Sequence, residues 1–220
     1  MTPTMLMKKR TAKPVFIHIS KNAGTSIVKS AGKAIVVAGH RTAANWLAEH
    51  GDGAALFAVV RNPFDRVVSE YFYRKRRFEA GEKNPHLANL NKSFEDWVLA
   101  TFRDGEFRTK AFFNETGVRY NAGNMVGETL IWFLPQVRWV DSSAGERLVQ
   151  HLLRYETLNE DWARFASAHQ LHGGLTFRNS SNREQDFRPY YSPRTRALVE
   201  AYFREDLAAF DYSFTPRSSA

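Results

Sequence analysis

Two short segments carry residue types suited to holding an anion. The first is SKNAGTS, made of Ser20, Lys21, Asn22, Ala23, Gly24, Thr25 and Ser26. Ala23 and Gly24 let the backbone approach a ligand closely, and Lys21 adds a cation on a flexible stem. Thr25 and Ser26 open a predicted helix whose unpaired N–H groups and positive dipole end favour negative charge. Lys21 precedes the glycine, whereas the Walker A loop carries its lysine directly after one. An ordinary capped turn between strand and helix uses the same residues, so this segment alone leaves both readings open. The second segment is RNPFDRVVSEYFY, beginning at Arg61. Ser69 follows about two helical turns later, so a planar guanidinium and a hydroxyl can meet one phosphate monoester. The alternative is that Arg61 pairs with Asp65; Val67, Val68, Tyr71 and Phe72 read as core.

Such groups need strands that empty into polar loops. Residues 15–19 form a β-branched and aromatic run, and residues 25–33 a short helix after the first loop. Residues 34–38 read as a second buried strand ending at Gly39 and His40, and residues 56–60 as a third ending at Arg61. Asn62 caps the next helix, Pro63 suits its first turn and Asp65 complements its dipole, giving a helix to about residue 77. Strands alternating with helices predict an α/β fold, a parallel sheet flanked by helices on both faces. Residues 78–127 break that rhythm and read as an insertion over the sheet edge, with a helix at 94–102. Further strands are expected at 137–140 and 151–155, a helix between them at 144–150, and closing helices at 158–169 and 193–210. The basic run Arg74, Lys75, Arg76 and Arg77 reads as a helix end, or as a lip for an acidic acceptor.

The chain has 220 residues, 43% of them apolar, which suits one domain with a sizeable core; residues 1–14 read as a disordered tail. Thirty-one Lys and Arg against 23 Asp and Glu give a net charge of +8, which draws anions to the surface. There is no cysteine, so thiolate chemistry and disulfides are excluded, in keeping with a reducing compartment. No apolar stretch follows the basic start, so a cytoplasmic protein without a membrane span is expected. No metal-ligand spacing such as HExxH occurs, and no metal is predicted. His18 reads as a core residue or one standing behind the site.

SKNAGTS resembles the 5′-phosphosulfate loop of sulfotransferases that use 3′-phosphoadenosine 5′-phosphosulfate (PAPS), and RNPFDRVVSEYF resembles their 3′-phosphate site, in the same order. The likeness is to the carbohydrate branch, with its Golgi-type, heparan sulfate and bacterial members. It continues through LPQVRWV, LLRYETLNEDW and FRPYYSPRTRALVEAYFREDLAAFDYSF. It implies a P-loop NTPase-like fold and transfer of a sulfuryl group from PAPS to a hydroxyl, most simply of a carbohydrate. Lys21 would meet the sulfate and bridging oxygen, and Asn22, Ala23, Gly24, Thr25 and Ser26 would hold the 5′-phosphate. Arg61 and Ser69 would grip the 3′-phosphate, and Arg183, in FRNSSNR, would lend a further cation. His40, in AGHRTA, matches the general base of the heparan sulfate 2-O branch. The insertion, with Trp97, Arg108 and Arg119, and Trp132 beyond it, would shape the acceptor site. Members of the family commonly have Pro at the position of Ser20, Thr or Ser at Asn22 and Gly at Ala23. The rivals are a nucleotide-dependent kinase and a basic nucleic-acid-binding protein. A kinase wants a lysine after the glycine and acidic Mg²⁺ ligands, and the charge here is spread without a nucleic-acid reader motif.

Overall fold

The computed structural model describes residues 13–82, 90–175 and 184–215. Its strands are β1 (Val15–Ile17), β2 (Val36–Val37), β3 (Leu56–Val60), β4 (Met125–Val126), β5 (Thr129–Leu130) and β6 (His151–Arg154). Four of them form one parallel sheet in the order β2-β1-β3-β6, with Phe16 beside Val37 and Phe57, and Ala58 beside Leu152. Strands β4 and β5 form a separate antiparallel hairpin.

Successive strand residues face opposite sides, and this alternation gives the sheet two apolar faces. Val15, Ile17, Leu56, Ala58 and Val60 pack under α2 (Ala43–His50), α6 (Val137–Val140) and Phe210. Phe16, Phe57, Val59 and Leu153 pack under α1 (Gly24–Ala31) and α7 (Leu158–Ala168), against Ile27, Trp162 and Phe165. The chain is therefore α/β, a parallel sheet between helices, as the alternation predicts. A third apolar cluster lies away from the sheet. There α3 (Pro63–Glu79), α4 (Phe94–Val98), α5 (Lys110–Thr116), α8 (Pro193–Tyr202) and α9 (Arg204–Ala209) meet around Trp97, Phe102, Phe133 and Phe203. Phe94, Trp97, Phe102 and Phe113 of the insertion belong to this third cluster, against α3, while Val126 packs against the first face of the sheet. Among the described residues no helix is long and apolar enough to cross a membrane.

Several local expectations are corrected by tertiary contacts. Residues 137–140 are β-branched and aromatic, yet they form α6, because the Asp206 carboxylate accepts from the Gln136 and Val137 N–H groups (2.8 and 2.9 Å) and so caps a helix. Residues 144–150 hold no helix. They turn at Gly145 (φ 84°) and return to pair Arg147 with Asp141. The second strand is shorter than expected and lies at the sheet edge, with Val36 and Val37 exposed. The helix expected at 94–102 is α-helical only to Val98 and then widens into a π-helical stretch, Leu99–Arg103. The last helix breaks at Phe203 into α8 and α9. Most of the expected tail lies outside the described residues, but Pro14 is buried and its carbonyl accepts from Val36 N–H.

Phe57 is fully buried between Phe16, Trp162 and Phe165 in the middle of the sheet. Phe57→Ala is expected to destabilise the fold by about 3–5 kcal/mol in urea unfolding.

Candidate functional site

Parallel strands deliver all their C-terminal ends to one edge. The chain passes from β1 to β2 on one side of β1, then to β3 on its other side. The loops after β1 and β3 thus diverge at the point where open α/β sheets take their ligands. SKNAGTS is the first of these loops and Arg61 begins the second.

The first loop is held in an unusual backbone. Lys21 (φ 65°) and Ala23 (φ 58°) both adopt the left-handed conformation, which costs a residue with a Cβ about 1–3 kcal/mol. Ala23 stands at the N-cap of α1 and provides no side-chain cap, and no acidic residue occupies the first turn. The Ala23 carbonyl accepts from Ser26 and Ile27 N–H (2.9 and 3.1 Å). Among the described residues the N–H groups of Asn22, Ala23, Gly24 and Thr25 meet no acceptor. Thr25 is exposed at this opening and Ser26 is buried beneath it. Gly24 approaches His18 closely: a Cβ there would stand 1.8 Å from His18 Nε2, so a larger residue would displace that ring. The Asn22 side chain turns inward, donating from Nδ2 to Val59 O and Gln136 Oε1 (both 2.7 Å), so only its backbone faces the loop's concavity.

The second segment is fastened to the first. Arg61 donates through a terminal nitrogen to the Lys21 carbonyl (2.8 Å) and through Nε to Asp65 (2.8 Å), and its guanidinium stacks 3.7 Å over Tyr155. Arg61 is thus buried and paired with Asp65, the alternative its sequence left open. Arg66, fully buried, donates to the carbonyls of Ser20 (3.2 Å), Leu134 (3.1 Å) and Trp132 (2.9 Å). Ser69 is buried further along α3. Arg183 lies outside the described residues. Arg74, expected at a helix end, is instead buried beside Glu70, with Nε 2.6 Å from the carboxylate.

Trp132 brings the remaining groups together. It lines a cavity of about 10 Å³ with Lys21, Arg66 and Glu70, and its ring meets that of His40 edge-on at 6.0 Å. His40 is exposed, just after Gly39 (φ 68°), and stacks on His18 at 5.5 Å. Lys21 Nζ sits 3.7 Å above the Tyr73 ring. Burial, with Arg61, Arg76 and Arg74 adding to it and Glu70 opposing, pulls the Lys21 ammonium down to about 8. Burial likewise lowers His40, again opposed by Glu70, so its imidazole is neutral and able to accept a proton at pH 7. His18 is lowered to about 4 by burial and by His40.

The chain matches no family model, no curated protein and no solved structure. The site therefore rests on its own geometry. Lys21, His40 and the loop N–H groups share one edge of the sheet, while Asn22, Arg61 and Arg66 act beneath them as braces. Sequence reasoning missed Glu70, Arg66, Tyr73 and Gln136. For the first three a signal existed: Arg66, Glu70, Tyr73 and Arg77 recur at helical spacing and form one polar stripe on α3. Gln136 carried no local signal. Trp97, expected near the acceptor, is core but also lines the cavity.

Neutral His18 has a stability consequence. Its folded value lies below the ordinary 6.5, so the stabilisation it gives is complete above about pH 6.5 and is lost as pH falls towards 4. His18→Gln is expected to flatten that part of the stability curve, measured by urea unfolding between pH 7 and 4.

Proposed function

We propose that this chain transfers a sulfuryl group from PAPS to the hydroxyl of a carbohydrate, on a fold of the P-loop NTPase kind. The observation that carries the proposal is the direct contact, at the sheet's switch point, between two segments whose residues suit anions. The uncapped start of α1 offers N–H donors to a 5′-phosphosulfate, and Arg61 joins that loop directly through the Lys21 carbonyl. Strain at Lys21 and Ala23 supports a ligand role, because such backbone persists where binding needs it.

In this reading His40 takes the proton of the acceptor hydroxyl and the oxygen attacks sulfur. The bond from sulfur to the bridging phosphate oxygen breaks, and adenosine 3′,5′-bisphosphate leaves. Lys21 and the loop N–H groups neutralise the charge that appears on the departing oxygen, so catalysis comes from position and fixed dipoles. Arg61 serves the 3′-phosphate by exchanging part of its pairing with Asp65, and Ser69 adds a hydroxyl.

Calorimetric titration with adenosine 3′,5′-bisphosphate, beside AMP and ATP, tests the donor. Binding at least about tenfold tighter than AMP is expected, and Arg61→Ala should remove the preference. Equal affinity for the two nucleotides overturns the assignment, and turnover of ATP would point to a kinase. Lys21→Ala and His40→Ala are each expected to abolish sulfuryl transfer; a fully active His40→Ala enzyme ends the base assignment.

The pH profile follows from the same groups. Activity should rise through a limb below the ordinary imidazole value, as His40 loses its proton, and fall above about pH 8, as Lys21 loses its charge. A rate that keeps rising beyond pH 9 would exclude the lysine role.

A further inference from the structure

We propose that Glu70 is the buried counter-ion that holds Lys21 charged in the site, a positioning residue for sulfuryl transfer. What that charge is for rests on the function proposed above; the electrostatic coupling across the shared cavity does not. Glu70 and Lys21 line the same small cavity, together with Arg66 and Trp132. Glu70 is 6% exposed and its carboxylate is fixed by Arg74 Nε at 2.6 Å, while the Arg74 guanidinium lies 4.8 Å over the Phe133 ring. A carboxylate clamped in this way cannot turn to solvent, so its field stays on the cavity.

The charges around Lys21 make that field necessary. Arg61, Arg74 and Arg76 all disfavour a further cation there, and burial does so more strongly. Buried Arg66 adds another positive charge to the lining. Tyr73 offers its ring face to the ammonium, a modest attraction. Asp65 and Asp206, unlike Glu70, do not line the cavity. Asp65 is held by Arg61, and Asp206 accepts from Gln136 and Val137. Glu70 is the acidic group that opposes the loss of the Lys21 proton, and it acts in the same sense on His40. Without it the Lys21 ammonium would lie lower still, and less of it would carry its proton at neutral pH.

NMR titration of the lysine side chains in the full chain, with Lys21→Arg for assignment, reads this directly and without any nucleotide. Lys21 should titrate near 8 in the parent protein and about one unit lower in Glu70→Gln. Glu70→Asp, which keeps the charge, should restore most of the difference. If loss of the Glu70 contact to Arg74 unfolds Glu70→Gln, the double variant Glu70→Gln/Arg74→Gln removes both charges, and a smaller downward shift is expected. A folded variant in which Lys21 titrates unchanged overturns the proposal. In turnover, the alkaline limb of Glu70→Gln should move down by the same amount as the titration, which a purely structural role would not produce. Calorimetry with adenosine 3′,5′-bisphosphate separates the two ideas. A downward Lys21 shift without nucleotide binding would remove the PAPS reading and keep the counter-ion.

Discussion

The side chain of Gln136 ties the site together. Its Oε1 accepts from Asn22 Nδ2 (2.7 Å) and from Arg61 N–H (3.0 Å), and its Nε2 donates to the Arg61 carbonyl (2.8 Å). One buried amide therefore joins the loop after β1 to the end of β3. Asp206 holds that amide in turn, accepting from both its backbone and its side chain (2.8 and 3.2 Å). Every member of this chain of contacts is nearly or fully excluded from water, so losing one partner leaves buried polar groups unpaired, at about 1–3 kcal/mol each. That cost makes the distance between the two anion segments a fixed property of the fold.

The rigidity below allows the loop above to be unfavourable in itself. Left-handed Lys21 and Ala23 and an uncapped α1 each work against stability. They are held by donors from beneath, Arg66 to the Ser20 carbonyl and Arg61 to the Lys21 carbonyl. The Ser20, Lys21 and Ala23 carbonyls are thus satisfied within the protein, while the N–H groups from Asn22 to Thr25 meet no acceptor among the described residues. A cluster of buried cations has the same logic. Arg61, Arg66 and Arg74 are paired with Asp65, backbone carbonyls and Glu70, so they brace the site; of the two cations that line its cavity, Arg66 is tied to backbone carbonyls and Lys21 is not.

Local signals carried the first half of the fold. The run at β3 and the Asn62, Pro63 and Asp65 start of α3 were legible because strand composition and helix capping act within a few residues. The same kind of reasoning failed at residues 137–140, where a carboxylate from α9 caps a helix that the β-branched sequence does not favour. It failed again at 144–150, where Gly145 and the Asp141 pairing impose a turn. Arg61 shows the limit at the level of one side chain. Its position at a strand end was readable, but the partners that bury it come from α3, from the first loop and from Tyr155.

The sequence by itself determined the α/β alternation, the two anion-suited segments and their order, because these depend on residue type and short spacing. Only the tertiary structure decided that the loop N–H groups open onto the same edge as His40 and Lys21. It alone decided that Glu70 and Arg74 are buried and that Gln136 joins the parts. Those features depend on contacts between residues far apart in the chain, and on the desolvation such contacts impose, which no local pattern records.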